Sequence, residues 1–206
     1  MILVGQYDSP FVRRVAVSLK VLGFAYEHDT RSVFGDFDSM RTTNPLGRIP
    51  SLILDSGQVL IDSGAILDWL DREVGPARAL IPAGGAERDR ALRLLAMATG
   101  AIEKIGAATY ERLVRPKALR WQEWIERCLT QGVGALEALD REIELGERVD
   151  QVQITTACCL GYIRLNEIGL APMGRYPTLD HVLARLDALP AFVETEVSEY
   201  KVPRAD

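Results

Sequence analysis

The chain has 206 residues, and its 24 Lys and Arg residues against 29 Asp and Glu residues give a net charge of -5. This length suits one large domain or two small ones, and the 48% apolar content is that of an ordinary soluble protein. The acidic balance argues against a nucleic-acid-binding protein, which normally has a basic face or stripe.

The three cysteines, Cys128, Cys158 and Cys159, follow no CxxC spacing. Their odd number predicts neither a disulfide framework nor a zinc site, and their sparsity fits a reducing compartment. The first residues lack the basic region and long apolar run of a signal peptide, and no stretch of about 18 apolar residues occurs. We therefore expect a cytoplasmic protein without a metal and without a membrane partner.

The first 75 residues alternate between strand and helix patterns. Short apolar runs bounded by turn residues indicate strands, and apolar residues spaced three and four apart indicate helices. In chain order, the patterns predict a strand at 2–4, a helix at 11–22, a strand at 25–28, a turn-rich segment at 35–48, strands at 51–55 and 59–61, and a helix at 63–74. A strand-helix-strand crossover followed by a hairpin predicts a small mixed sheet with helices packed on it.

The rest of the chain, at 86–206, shows only helical patterns and follows a linker rich in proline and glycine at 76–85. Long helices are predicted at 88–114 and 117–145, and a third begins at the capping sequence Asp150-x-x-Gln153. That third helix is apolar around much of its circumference, which predicts a central place in the bundle. Pro177 and Pro190 bound two shorter helices. The predicted buried stripes are Leu92, Leu95, Ala96, Thr99, Ile102 and Ile105 on the first helix, and Ile154, Cys158, Gly161, Leu165 and Ile168 on the third.

Ser9 precedes Pro10 at the predicted start of the first helix. One interpretation is structural, because serine caps helix N-termini and proline is favoured in the first turn. The other is functional, because a hydroxyl at the positive end of a helix can stabilise an anion. A thioredoxin would carry cysteines where this chain has Ser9 and Val12, so a thiol in this site has to come from a ligand.

Ile49 and Pro50 enter the third predicted strand. Proline restricts the preceding residue to an extended backbone and is tolerated at the first residue of a strand. The segment can be a plain loop entering a strand. Alternatively, the extended backbone of Ile49 can pair with an extended peptide ligand in the way an added strand would.

Asp62 and Ser63 stand at the start of the helix that follows the hairpin. They can act simply as an N-cap. They can also bind a ligand that carries two charges on one carbon, with Ser63 and the helix amides holding a carboxylate and Asp62 holding an ammonium group.

Three motifs together resemble those of the glutathione S-transferases of the bacterial, serine-type kind. They are Ser9-Pro-Phe-Val-Arg-Arg-Val, Asn44-Pro-Leu-Gly-Arg-Ile-Pro and Ile61-Asp-Ser-Gly-Ala-Ile-Leu-Asp-Trp-Leu, and the resemblance runs essentially end to end. It implies an α/β thioredoxin-like domain at 1–75 that binds glutathione, a linker at 76–85, and an all-α helical-bundle domain at 86–206 that supplies the electrophile pocket. It also implies a homodimer.

The resemblance implies a role for each motif. Ser9 would hydrogen-bond the glutathione sulfur, and Ile49 before a cis-Pro50 would pair with the cysteinyl backbone. Asp62 and Ser63 would bind the γ-glutamyl end. The remaining candidates are Arg48 for the glycyl end and Phe11 and Tyr110 for the electrophile pocket.

Two departures from the family pattern stand out. Asp62 occupies a position where the family usually has Glu or Gln, so its contact to the ammonium group is expected to be weaker or shifted. The cap of the central helix reads Asp150-x-x-Gln153 instead of Ser/Thr-x-x-Asp, which keeps the capping chemistry.

The implied function is a glutathione transferase that activates the glutathione thiolate for attack on a small hydrophobic electrophile. Two alternatives stay open. One is a non-catalytic binding or regulatory scaffold of the same fold, and the other is a glutathione-dependent reductase or dehalogenase. The sequence does not separate them, because a fold hosts many functions.

Overall fold

A four-stranded mixed sheet forms the N-terminal part of the chain in the computed structural model, which describes residues 1–166 and 169–197. The strand order is β2-β1-β3-β4. The first strand pairs in parallel with the second and antiparallel with the third, which pairs antiparallel with the fourth. This is the predicted crossover followed by a hairpin. The strands are β1 (Ile2–Val4), β2 (Glu27–Asp29), β3 (Ser51–Ile53) and β4 (Val59–Ile61).

Three helices accompany the sheet: α1 (Pro10–Leu22), α2 (Phe37–Thr43) and α3 (Ser63–Val74). The apolar face of α1 is fully buried, and Gly23 ends the helix in the left-handed conformation that glycine adopts without strain. The prediction of turns throughout 35–48 was wrong for α2. Because α2 has seven residues and buries only Met40, it has no apolar stripe from which periodicity could reveal it.

The remaining helices of the described chain lie after residue 84. They are α4 (Gly85–Leu113), α5 (Gln122–Glu142), α6 (Gln151–Leu165), α7 (Pro177–Asp187) and the short α8 (Pro190–Val193). The second long helix is shorter than predicted, because Lys117–Leu119 forms a separate 3-10 turn after Pro116. No strand is described after Ile61, so a thioredoxin-like α/β part followed by a helical part confirms the expected fold class.

The buried face of α4 differs from the predicted stripe. Leu92 is 43% exposed and Ala96 is also exposed, whereas Leu95, Ile102 and Ile105 are buried as expected. The face that packs inward runs along Ala91, Leu94, Leu95, Ala98, Ala101, Ile102, Ile105, Ala108 and Thr109. Four of these nine residues are alanines, which allow close helix packing without producing a strong apolar pattern in the sequence.

Helix α6 is the central helix of the bundle, as its composition predicted. Every residue from Gln151 to Leu160 is buried, and Asp150 caps the helix by accepting a 2.8 Å hydrogen bond from the Gln153 amide. Leu165, at the end of its predicted stripe, is 37% exposed, and Ile168 lies outside the described residues.

One apolar core runs through both parts of the chain and joins α1 and α3 to α4 and α6. The domain limits at 75 and 86 stay a prediction, since the core is continuous across the linker. Among the described helices, none is long and apolar enough to cross a membrane.

The sheet register brings three loops to one end of the sheet. Ser51 pairs with Val4 on one side and with Ile61 on the other. Both β1 and β4 run antiparallel to β3. Three loops therefore lie at this end of the sheet: the one after Val4, the one before Ser51 and the one after Ile61. These are the segments that carry the three sequence motifs.

Gly5 lets two of these segments approach each other. A Cβ atom at Gly5 would lie 2.7 Å from Val12 Cγ2 and 2.8 Å from Ile49 Cβ, and its φ of +123° also favours glycine. The start of α1 and the Ile49 loop therefore touch across a position that only glycine fits.

Candidate functional site

Ser9 lies at the N-terminus of α1, where both interpretations of the residue placed it. Its Oγ accepts a long 3.4 Å hydrogen bond from the Val12 amide, and Pro10 occupies the first turn. The first turn of α1 holds no acidic side chain, so its own residues leave the positive end of the helix dipole uncompensated. A half-buried hydroxyl with a weak internal bond can turn its proton toward an anion placed against the helix end.

The Ile49–Pro50 peptide bond is cis. The loop before it is held by Asn44, whose side-chain amide donates to the Arg48 carbonyl at 2.8 Å and whose oxygen accepts from the Leu46 amide at 3.0 Å. Asn44 is 2% exposed, so these bonds are shielded from water and fix the path of the loop. The backbone of Ile49 and the side chain of Arg48 are thereby presented next to α1.

Asp62 forms the N-cap of α3. Its carboxylate accepts a 2.7 Å hydrogen bond from the Gly64 amide, and its backbone adopts a φ of +70°, the one positive value outside glycine in the described chain. Short polar side chains tolerate that conformation best. In this cap one carboxylate oxygen of the exposed Asp62 bonds to the backbone of α3. The other oxygen is available to accept a hydrogen bond from a cation.

Ser63 is buried at 2% exposure and is held by Arg14 of α1. The guanidinium donates to Ser63 Oγ from Nη2 at 2.7 Å and from Nε at 3.1 Å. Burial lowers the pKa of Arg14 to about 10, while Asp62 opposes that shift, so the guanidinium keeps its charge at neutral pH. The sequence analysis did not identify Arg14, which sits within the apolar pattern of α1.

Arg14 also connects this site to the central helix. Its Nη1 lies 3.5 Å from Thr155 Oγ1, which in turn accepts from Gln151 at 3.3 Å. The Gln151 side-chain oxygen accepts from Ser18 at 2.9 Å, one turn after Arg14 on α1. These buried polar residues cross from α1 to α6, so the position of Ser63 depends on the helical part of the chain. Arg14 and Ser18 are four residues apart, as are Gln151 and Thr155, so each pair lies on one face of its helix. This spacing of polar residues is the only local sequence feature that indicates the network.

A cavity of about 650 Å³ lies between the N-terminal part and one face of α4. Phe34 and Tyr110 meet edge to face across it, with ring centroids 5.7 Å apart. Burial raises the pKa of Tyr110, Asp8 adds to that rise and Arg48 opposes it, so the phenol stays protonated at neutral pH. The residues that line the cavity are Gln6, Asp8, Ser9, Pro10, Phe11, Ser32, Val33, Phe34, Gly47, Arg48, Ile49, Ile102, Glu103, Gly106, Ala107, Tyr110 and Tyr162.

The structure brings most of the predicted residues together at this cavity. Ser9, Arg48 and Ile49 line it, as do Phe11 and Tyr110, the two candidates for the electrophile pocket. Pro50, Asp62 and Ser63 do not line it, and they lie at the same end of the sheet. The roles of these residues remain predictions.

Sequence reasoning missed part of the wall, namely Glu103, Gly106 and Ala107. They share one face of α4 with the predicted Tyr110, but helical spacing does not show which neighbour that face meets. Among the described residues, no cluster of His, Cys, Asp and Glu could hold a metal ion.

Comparison with known proteins identifies the family of the chain. Residues 3–78 match the model described as the glutathione S-transferase N-terminal domain. A glutathione transferase family member from Pseudomonas fluorescens Pf-5, solved with bound glutathione, is 33% identical with a TM-score of 0.85, covering 94% of this chain and 97% of its own. The chain belongs to the glutathione S-transferase family.

Two further comparisons agree with this family assignment. The probable maleylacetoacetate isomerase of Vibrio cholerae is 31% identical over 94% of each chain. A glutathione S-transferase from Methylobacterium radiotolerans, solved in complex with glutathione sulfonate, is 25% identical with a TM-score of 0.88 and covers all of this chain and 99% of its own. The expected family, fold and enzyme class are confirmed, and the serine type stays a prediction. The protein is a glutathione transferase, for which glutathione is the cosubstrate.

Proposed function

We propose that this transferase conjugates glutathione to a small apolar electrophile bound in the cavity between α1 and α4. The observation that carries the proposal is the cavity itself, which is lined by Ser9 at the start of α1 and Ile49 and also by the aromatic residues Phe11 and Tyr110. The cavity thus has a polar end that suits a thiol peptide and an adjoining apolar end that suits a second substrate. The relative from Pseudomonas fluorescens, solved with bound glutathione, supports glutathione as the thiol peptide.

The peptide part of glutathione would lie along the segments at the end of the sheet. Ile49 would pair with the cysteinyl backbone, and Arg48 would bind the glycyl carboxylate. The γ-glutamyl carboxylate would accept from Ser63, and its ammonium group would face Asp62. Each contact pairs opposite charges or a donor with an acceptor, so together the contacts fix the orientation of the bound peptide.

The reaction then requires a thiolate, because a thiol with an ordinary pKa near 8.5 is mostly protonated at neutral pH. The Ser9 hydroxyl donates to the sulfur, and the N-terminus of α1 adds its positive potential, so the thiol releases its proton to solvent. The thiolate electron pair attacks the electrophilic carbon and forms the C–S bond. The leaving group departs with the electrons of its former bond, and closeness of the two reactants supplies much of the rate.

An ultraviolet difference titration with glutathione near neutral pH tests this proposal, with the thiolate absorbance as the signal. We expect a saturable signal in the wild type and its loss in Ser9→Ala. We also expect Ser9→Ala to lower kcat about tenfold to a hundredfold, since a hydrogen bond to a charged group contributes about 1.5–3 kcal/mol. Ser56→Ala, an exposed serine in the β3–β4 turn, is the matched control.

Each other result of the titration has a definite meaning. Glutathione binding without a thiolate signal would favour the scaffold alternative, and a thiolate signal that Ser9→Ala leaves unchanged would remove Ser9 from the mechanism. If glutathione does not bind at all, the transferase proposal is wrong. Thiolate formation with reduction or dehalogenation but no conjugation would favour those chemistries.

A second candidate function is glutathione-dependent isomerisation. The similarity to the probable maleylacetoacetate isomerase of Vibrio cholerae favours it. The same thiolate would add to a conjugated double bond, allow rotation, and leave again, so glutathione would be regenerated. Turnover without consumption of glutathione distinguishes this reaction from conjugation.

We further propose a homodimer in the cytoplasm, as the family resemblance implies. Phe37 begins α2 and Leu46 follows it, with 48% and 65% of their surfaces exposed, and such apolar side chains suit an interface. Light scattering of the purified protein gives the mass in solution and tests the dimer.

A further inference from the structure

The charges along the cavity wall are unevenly distributed. Asp8 and Glu103 are acidic, and Arg48 is the one cation among the described residues that line the cavity. Under the proposed function, on which this inference rests, Arg48 binds the glycyl carboxylate of glutathione. The second substrate then meets the Glu103 carboxylate and the thiolate of the cosubstrate.

Glu103 holds a particular place in this arrangement. It lies on α4, one turn before Gly106 and Ala107 and two turns before Tyr110, and all four line the cavity. The side chain is exposed, and within residues 1–166 and 169–197 no cation lies at ion-pair distance from it. Among the described residues, Glu103 therefore has no ion-pair partner.

The rest of this wall suits a flat, uncharged group. Phe11, Phe34 and Tyr110 supply aromatic surface, while Gly106 and Ala107 leave room between the helix and those rings. The Tyr110 phenol stays protonated and can donate to a neutral acceptor such as a nitro or carbonyl oxygen.

We infer that Glu103 sets the charge preference of this cavity and disfavours second substrates that carry a carboxylate. A like charge near a bound anion disfavours binding unless a cation compensates it. The substrate of a maleylacetoacetate isomerase carries carboxylates, and the described residues that line this cavity offer them no cation besides Arg48. Exclusion of carboxylates by Glu103 would therefore favour conjugation over isomerisation.

An isosteric pair of glutathione conjugates tests the inference. S-(2,4-dinitrophenyl)glutathione and S-(4-carboxy-2-nitrophenyl)glutathione differ by one nitro group replaced with a carboxylate of nearly the same shape. Calorimetric titration at low ionic strength, where charges are least screened, gives their dissociation constants. We expect the dinitrophenyl conjugate, whose ring substituents carry no net charge, to bind more tightly to the wild type. Glu103→Gln should reduce that preference about twofold to fivefold, the range for an exposed charge pair.

Two variants and a second readout complete the test. Glu103→Lys is expected to reverse the preference, and Asp89→Asn, an exposed charge at the start of α4 outside the cavity, to leave it unchanged. The second readout is the ratio of the kcat/KM value for 1-chloro-2,4-dinitrobenzene to that for 4-chloro-3-nitrobenzoate. Across the variants, this ratio should change in the same direction as the binding preference between the two conjugates. In each case the thiolate displaces chloride, and comparing variants removes the difference in intrinsic reactivity.

Equal binding of the two conjugates, or a preference that Glu103→Gln and Glu103→Lys leave unchanged, would overturn the inference while leaving the transferase function in place. Failure of both conjugates and of glutathione itself to bind would instead overturn the proposed function, and this inference with it.

Discussion

Arg14 donates two hydrogen bonds to a single side-chain oxygen, that of Ser63, from Nη2 at 2.7 Å and from Nε at 3.1 Å. A hydroxyl oxygen has two lone pairs and one proton. With both lone pairs occupied, the proton of Ser63 can only be donated elsewhere. Arg14 therefore makes Ser63 a pure donor, which is the role a γ-glutamyl carboxylate requires.

Replacing Arg14 should consequently impair glutathione binding more than turnover. We expect Arg14→Met to raise the KM for glutathione, with a smaller change in kcat, and Arg14→Lys to restore part of the affinity. The loss of buried hydrogen bonds should also lower the free energy of unfolding by about 1–3 kcal/mol, so denaturant unfolding is measured alongside the kinetics.

A thermodynamic cycle separates positioning from mere stability. If Arg14 acts through Ser63, the effects of Arg14→Met and Ser63→Ala on the KM are not additive in the double variant. Additive effects, or an unchanged KM in Arg14→Met, would contradict this role.

Asp62 has two possible tasks, capping α3 and attracting an ammonium group, and one substitution separates them. Asparagine also caps helices and also tolerates a positive φ, but it carries no charge. We expect Asp62→Asn to raise the KM for glutathione about twofold to fivefold, the range for an exposed ion pair, with little change in unfolding free energy. Asp68→Asn, an exposed charge on the same helix, serves as the control, and a KM equal to the wild-type value would exclude the ammonium contact.

The cap of α6 predicts how stability depends on pH. Burial raises the pKa of Asp150, although amide bonds from Gln153 and Val152 oppose the shift. The folded state thus binds the proton more tightly than the unfolded state, so the contribution of Asp150 to the unfolding free energy falls as pH rises from the ordinary carboxyl pKa through the higher folded value. Asparagine keeps the cap without titrating.

Asp150→Asn should therefore gain stability relative to the wild type as pH increases, and the gain should level off above the folded pKa. Urea unfolding of both proteins between about pH 4 and about pH 8 measures this difference. Asp89→Asn provides the comparison for an exposed carboxylate, and a difference that stays flat or declines with pH would contradict the prediction.

The elements that the sequence predicted well share one property, a strong local pattern. Helix α1 has an apolar face and ends at Gly23, and α6 begins at the predicted Asp150 cap. Helix α2 was missed because it buries one side chain, and the buried face of α4 was misplaced because alanines form much of it. Local periodicity reports burial only where large apolar side chains mark it.

By itself, the sequence determined which residue types could bind a thiol peptide: Ser9 before a helix, Ile49 before Pro50, and Asp62 with Ser63 at a helix start. These follow from local chemistry, since caps and proline restrict the backbone within a few residues. Only the tertiary structure decided that Arg14 holds Ser63 and that Glu103 of α4 lines the same cavity as Ser9. Such contacts join residues far apart in sequence, and their geometry is set by how the helices pack on the sheet and on each other.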